Sequence, residues 1–188
     1  MNAVDEMFDQ TVLVAPREVR DLIQRASRVK GCEASVADHL ATKVTFCEVH
    51  YGGGIRGWLQ LVSEDTNCLS EVVASAQILD SLPANDVSEF SWNSPIPFVL
   101  IAKSLSVLQT YGFTWSCDPT PITGDALVRC VYLTQETSAD HLLDDKMQKA
   151  LSDGLKVNYA DWKDLTNIAA EFLLSEEILD NSGSPVYE

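Results

Sequence analysis

The chain has little positive charge: 13 lysines and arginines stand against 28 aspartates and glutamates in 188 residues, a formal net charge of −15. A surface this acidic repels phosphate backbones, which argues against general nucleic-acid binding. It also argues against docking on anionic membranes. We therefore expect neither a nucleic acid nor a membrane among the partners of this protein.

Closely spaced cysteines and long apolar runs are missing too. The five cysteines are odd in number and form no C-x-x-C pair, which favours reduced thiols over disulfides and predicts no zinc site. No apolar run approaches the roughly 20 residues that a membrane span needs. The acidic start of the sequence lacks the basic and apolar segments of a signal peptide. These absences together predict a cytoplasmic protein without a bound metal.

What is present is an ordinary globular composition, with 46% hydrophobic and 22% charged residues. Apolar periodicity predicts a single α+β domain, mostly helical, with about six helices and a small antiparallel strand pair in the C-terminal half. The expected parts are a helical module over 12–62, buried helices over 63–112, the strand pair plus a helix over 113–157, a C-terminal helix over 158–180 and a frayed tail over 181–188.

Helix breakers, caps and alternation predict the boundaries of individual elements. Pro16 is expected to open the first helix, Gly31 to end it and Ser35 to cap the second. A third short helix follows the glycines at 52–54. The remaining expected elements are helices over 69–82, 96–111 and 139–152, a loop over 84–95, strands over 113–117 and 126–134, a β-like run at 11–14 and a short strand or connector at 155–157.

Several short motifs follow one another in the first third of the chain. They are VAPREVRDL at 14–22, Gly31, ADHLA at 37–41, CEV at 47–49 and the three glycines. This order resembles the N-terminal helical module of the malate/L-lactate dehydrogenase family that lacks a Rossmann fold. That family follows two paired helices with an acidic residue, a Ser-His-Gly motif holding its catalytic histidine, and an arginine.

Glu48 matches the family's acidic position, and Arg56 or Gly57 falls near its arginine position. Three glycines stand where Ser-His-Gly is expected, and His50 lies several residues too early to be the catalytic histidine. The resemblance therefore implies a shortened, non-catalytic relative. We expect no nicotinamide and no other cofactor.

The end of the chain carries a second set of motifs: DWKDL at 161–165, FLLSEE at 172–177 and SGS at 182–184. They resemble the close of an uncharacterised bacterial family of about this length. Asp180 and Asn181 stand where that family's pattern has an arginine. The resemblance implies a bacterial cytosolic protein and carries no activity with it.

The best candidate ligand site is the stretch containing His50, Tyr51, Gly52, Gly53, Gly54 and Arg56. Glycines let a backbone approach a ligand closely, and a histidine with an arginine can bind and protonate a carboxylate or keto group. The alternative is that the glycines form only a turn between two helices.

The leading functional hypothesis is a non-catalytic protein that acts through self-association, as a dimer, or through a protein partner. The alternative is a small-molecule-binding domain or enzyme for a 2-oxo or 2-hydroxy acid. Charge is also unevenly distributed, with five of the thirteen basic residues in 17–30 and seven acids in 161–188. These two segments are either solvated faces or surfaces that meet within one chain or between chains.

Overall fold

The structure is a computed structural model that describes residues 10–63, 89–117, 122–135 and 142–182. Within these residues it confirms a mostly helical α+β fold, with six α-helices and antiparallel sheets. The elements in chain order are β1 (Thr11–Val14), α1 (Pro16–Val29), α2 (Ala34–His50), α3 (Gly54–Ser63), β2 (Glu89–Pro97), a 3₁₀ turn (Phe98–Leu100), α4 (Ala102–Thr110), β3 (Phe113–Cys117), β4 (Leu127–Gln135), α5 (Leu142–Asp153), β5 (Leu155–Asn158) and α6 (Tyr159–Ser182).

Helices α1 and α2 form the packed pair that the apolar periodicity predicts. Val19 and Ile23 of α1 are fully buried, as are Ala37 and Val44 of α2. Helix α1 starts at Pro16 as expected, and the Glu18 carboxylate accepts the Ala15 N–H at 2.7 Å, which satisfies one donor at the helix start.

The predicted cap of α2 is wrong. The helix starts at Ala34 with Glu33 at the N-cap position, and no side chain caps it. Ser35 therefore lies inside the first turn, two residues after the position from which a cap accepts the first N–H groups.

The strands form two antiparallel sheets, of order β1-β5 and β2-β4-β3. The predicted pair over 113–117 and 126–134 is confirmed as β3 and β4, with Trp115 opposite Leu133. The β-like run at 11–14 is also a strand and pairs with β5, where Val14 lies opposite Leu155. The chain thus has more strand pairing than the single pair that the sequence predicts.

The loop predicted over 84–95 is wrong in its second half, because residues from Glu89 onward form the edge strand β2. Its pairing with β4 shifts register between Ser91 and Ile96. That irregular stretch tolerates Pro95, since an edge strand at a bulge needs no ladder hydrogen bond from each residue.

The helix predicted over 96–111 begins later, at Ala102. The backbone N–H groups of Phe98 and Val99 donate to the carbonyls of Ala126 and Gly124, at 2.8 and 3.0 Å. Because these bonds hold the segment against the loop before β4, residues 98–100 form only a 3₁₀ turn.

Helix α6 packs against α1 and α3. The basic first helix and the acidic C-terminal helix therefore meet within one chain. The predicted helix over 158–180 is confirmed, and it continues to Ser182, so residues 181 and 182 belong to the helix and not to a frayed tail. No helix in the described ranges is long and apolar enough to span a membrane.

Some predicted elements lie outside the described residues. They are the helix over 69–82, the first part of the loop over 84–95, the beginning of the helix over 139–152 and the tail beyond residue 182.

Candidate functional site

The three glycines after α2 form a tight turn packed against the helix that precedes it. Gly52 and Gly53 adopt left-handed backbone conformations, with φ of +72° and +67°, which favour glycine. Gly54 lies so close to α2 that an added Cβ would be 2.6 Å from the Val44 carbonyl oxygen and 2.8 Å from the Glu48 nitrogen. Two of the glycines are therefore required by conformation and the third by close packing.

A second backbone segment closes the open side of this turn. The Gly124 N–H donates to the Gly52 carbonyl at 2.8 Å, and the Gly124 carbonyl accepts the Val99 N–H. A Cβ added to Gly124 would lie 2.7 Å from the Gly53 carbonyl carbon, and one added to Gly57 would overlap the Gly124 carbonyl. We call this meeting of 52–57 with Gly124 the glycine junction. Its hydrogen bond and close glycine contacts pack one side of the turn against the segment that contains Gly124.

His50 and Tyr51 belong to a cluster of aromatic side chains next to the junction. His50 is 5% exposed, and its ring centroid lies 4.2 Å from that of Phe46. Tyr51 packs edge-on against Phe98 with ring centroids 5.0 Å apart, and burial raises its pKa to about 12. The His50 carbonyl accepts a hydrogen bond from Lys146 of α5 at 2.8 Å, at the end of α2 where carbonyls lack helical partners.

Glu48 caps the helix that follows the turn. Its carboxylate accepts the Ile55 N–H at 2.9 Å, at the positive end of the α3 dipole. Burial raises the pKa of the Glu48 carboxyl, although its hydrogen bonds from the backbone of Ile55 and Gly54 act in the opposite direction. Glu48, the residue at the acidic position of the pattern that resembles the dehydrogenase family, thus stabilises the start of α3.

Arg56 joins α3 to the C-terminal helix. Its Nε lies 3.1 Å from Oδ2 of Asp161, whose side chain is 19% exposed. Desolvation raises the pKa of Asp161, and Arg56 only partly offsets that effect.

All six predicted site residues thus lie around one turn, and the structure gives the turn's side chains and glycines contacts within the protein. Two cavities that described residues line are located away from this turn. In the same part of the chain, no group of three or more His, Cys, Asp or Glu side chains is arranged to hold a metal ion. The hypothesis of ligand binding at the turn stays a prediction.

A cleft of about 350 Å³ lies between α2 and α4, away from the glycine junction. We call it the α2–α4 cleft. Its basic side chains are His39, Lys43 and Lys103. The residues that line it are Asp38, His39, Thr42, Lys43, Lys103, Ser104 and Val107.

Lys43 is the least expected of these residues, because it is only 8% exposed. Its Nζ donates to the Leu100 carbonyl at 2.9 Å, just before α4 begins. Lysine is rarely buried unless it is paired. This bond fixes the amine in the wall of the cleft and ties α2 to the segment that leads into α4.

Among the described residues that line the cleft, the one acid already has a basic partner. Asp38 accepts a hydrogen bond from Arg20 of α1 at 2.9 Å. The described part of the lining therefore has more basic than acidic side chains, in a protein whose net charge is −15. An anion is the ligand that such a lining attracts.

A second cavity, of about 430 Å³, is bounded by α1, α3 and α6. Its apolar wall comes from Leu59, Val62 and Ile168, and Lys30 and Asp164 contribute one charge of each sign. Because its described lining has no excess of either charge, this cavity has fewer groups that could orient a small charged ligand.

Sequence reasoning missed the α2–α4 cleft. His39 is exposed, Lys43 carries no motif, and Lys103 lies within a strongly hydrophobic segment of the chain. One signal was present: His39 and Lys43 are four residues apart on one helix, as are Lys103 and Val107 on another, so each pair shares a face. Only the packing of α2 against α4 brings the two faces together.

Comparisons of the chain with protein-family models, with curated proteins and with solved structures find no match. Neither resemblance drawn from the motifs has independent support, so a function must be inferred from the geometry of the described residues.

Proposed function

We propose that this chain is a non-catalytic binding domain of the bacterial cytosol that takes a small carboxylic acid of the 2-oxo or 2-hydroxy class into the α2–α4 cleft. The observation that carries the proposal is the excess of basic side chains among the described residues that line this cleft of a strongly acidic protein. Bacterial origin and cytosolic location follow from the motif resemblances and are part of the same proposal.

The size and polarity of the cleft suit such a molecule. A volume of about 350 Å³ is at the small end of ligand pockets. Lys103 provides a charge for the carboxylate, the Thr42 and Ser104 hydroxyls are polar neighbours, and Val107 supplies an apolar surface for a short carbon chain. Charge-assisted hydrogen bonds of the ammonium–carboxylate kind are stronger than neutral ones.

The proposal is tested by calorimetric titration of the protein with pyruvate, lactate and malate at low ionic strength. Lys103→Gln should weaken binding by roughly fivefold, about 1 kcal/mol, because it removes a partly solvated charge partner of the carboxylate. Lys149→Gln is the matched control, since Lys149 is an exposed lysine on α5 outside the cleft lining.

Two results would count against this function. One is the absence of binding for all three acids at millimolar concentration. The other is equal affinity of the Lys103→Gln and Lys149→Gln variants for the acids, because it would show that the Lys103 ammonium group does not bind the carboxylate.

Self-association as a dimer is a second candidate, favoured by exposed leucines. Leu13 of β1 is 62% exposed and Leu151 of α5 is 63% exposed. Leu13 lies against Gly154, three residues after Leu151, where an added Cβ would be 3.0 Å from the Leu13 side chain. We infer that these two exposed leucines, on elements that approach each other near Gly154, contribute to an association surface.

The dimer is tested by sedimentation equilibrium over a wide concentration range. The wild-type chain should self-associate, and the double variant Leu13→Ser, Leu151→Ser should shift towards monomer. A matched variant of an exposed leucine elsewhere, Leu127→Ser on β4, should leave the association unchanged. A wild-type protein that stays monomeric at all concentrations would rule out this candidate.

A further inference from the structure

We infer that Lys43 captures a 2-oxo acid in the α2–α4 cleft by forming an imine with its keto carbon. This inference rests on the proposed function and deepens it, because it separates 2-oxo acids from 2-hydroxy acids. A 2-hydroxy acid offers the same carboxylate but no carbonyl carbon for an amine to attack.

The first observation is where the amine lies. Lys43 is 8% exposed, yet it lines a cleft and is not sealed inside the core. Its nitrogen is held 2.9 Å from the Leu100 carbonyl oxygen, so its position is fixed before any ligand arrives. A fixed amine at a cleft wall meets the positional requirement for attack on a bound carbonyl.

The second observation concerns the chemical surroundings of the Lys43 amine. Lys103 lines the same cleft, and burial together with a neighbouring cation is the environment in which lysines act as nucleophiles. The residues on either side of the Leu100 carbonyl, Val99 and Ile101, are fully buried, so the bond from Lys43 is made next to the hydrophobic core. Lys103 is then the cation that holds the carboxylate of the same ligand.

The step balances without any further reactant. The Lys43 nitrogen forms a bond to the keto carbon, and the carbonyl oxygen leaves as water with two of the three protons of the ammonium group. The product is an iminium that keeps one N–H and the positive charge. That N–H can still donate to the Leu100 carbonyl, so capture does not require this bond to be lost.

The experiment traps the iminium on the wild-type chain. The protein is incubated with pyruvate and cyanoborohydride, which reduces an iminium to a stable secondary amine, and the modified lysines are located by peptide mass mapping. Adduct is expected at Lys43 well above the level at the exposed Lys149. Lactate under the same conditions should give no adduct.

Two variants complete the test. Lys43→Arg keeps a positive charge and a donor for the Leu100 carbonyl but cannot form an imine, so it should abolish the specific adduct. Lys103→Gln should lower the yield at Lys43 several-fold by weakening retention of the carboxylate. Because the map is made on the wild-type chain, a folding defect in either variant does not remove the test.

The outcomes distinguish the two levels of the proposal. If pyruvate binds in calorimetry but no adduct forms at Lys43, or if adducts spread evenly over the exposed lysines, the imine is refuted and carboxylate binding stands. If pyruvate neither binds nor is trapped, both are refuted.

Discussion

Replacing single glycines around the turn after α2 tests whether it is a packed junction or an open loop. Gly54→Ala adds a Cβ at 2.6 Å from the Val44 carbonyl oxygen and 2.8 Å from the Glu48 nitrogen. Gly52→Ala adds one where no atom lies within 4 Å, but at a φ of +72°. The first change is penalised by overlap and the second by conformation alone.

The two penalties differ in size. The added methyl at Gly54 is 0.8 Å closer to Val44 than the 3.4 Å at which ordinary contacts begin. Overpacking of this kind costs typically ~1–3 kcal/mol. Because both neighbouring atoms belong to the backbone of α2, neither can turn away, and we expect about 3 kcal/mol. The left-handed conformation at Gly52 costs about 1 kcal/mol.

Thermal and urea unfolding measure the difference. For a chain of this length each kcal/mol lowers the midpoint by roughly 2–4 °C, so we expect a loss of roughly 6–12 °C for Gly54→Ala and roughly 2–4 °C for Gly52→Ala. Gly31→Ala is the matched control, because Gly31 has a φ of +83° and open space around it, far from the junction. It should behave like Gly52→Ala.

One result would refute this reasoning. If Gly54→Ala is as mild as Gly52→Ala and Gly31→Ala, the turn is not packed against α2, and an open loop that receives a ligand becomes the better description.

Three further predictions concern polar and charged side chains. Ser27→Ala should lower the free energy of unfolding by ~1–3 kcal/mol, because the buried Trp58 indole N–H, which lies 3.0 Å from Ser27 Oγ, loses its hydrogen-bond partner. Urea unfolding measures this change, and an unchanged stability would contradict the prediction. Burial raises the pKa of Glu48, so the folded state holds extra protons above pH 4.5 and the free energy of unfolding falls as pH rises through that window. In unfolding experiments between pH 4.5 and 7, Glu48→Gln should reduce the decrease of the free energy of unfolding with pH. An unchanged pH dependence would mean that other groups cause the decrease. Arg56→Gln should raise the pKa of Asp161 further, as an NMR titration would show. It should lower the free energy of unfolding by less than about 1 kcal/mol, because the ion pair is partly exposed. An unchanged pKa would mean that the pair does not form in solution.

The helices of the N-terminal half could be predicted because local periodicity determines them. Val19, Ile23 and Ala26 recur at helical spacing and are all fully buried. Strand β2 could not be predicted in the same way, since Asn93 and Pro95 fall in the irregular stretch of its pairing with β4. Whether such a segment is a loop or an edge strand depends on a partner far away in sequence.

The candidate site shows the same difference between features that depend on local sequence and features that depend on tertiary packing. His50 and Arg56 attracted attention because they are chemically versatile and stand beside glycines, yet the structure uses them in an aromatic cluster and an ion pair. Lys43 and Lys103 carry no motif, and their meeting depends on how α2 packs against α4. Motifs locate chemistry that is local in sequence, whereas this cleft is assembled by tertiary packing.

The glycine junction also has a kinetic consequence. The hydrogen bond from Gly124 to Gly52 joins residues more than seventy positions apart, and Val99 binds the same loop. Contacts between distant residues require closure of a long loop, which makes them slow to form. The junction is therefore expected to assemble late in folding and, once formed, to act mainly on the rate at which the helical module and the three-stranded sheet separate.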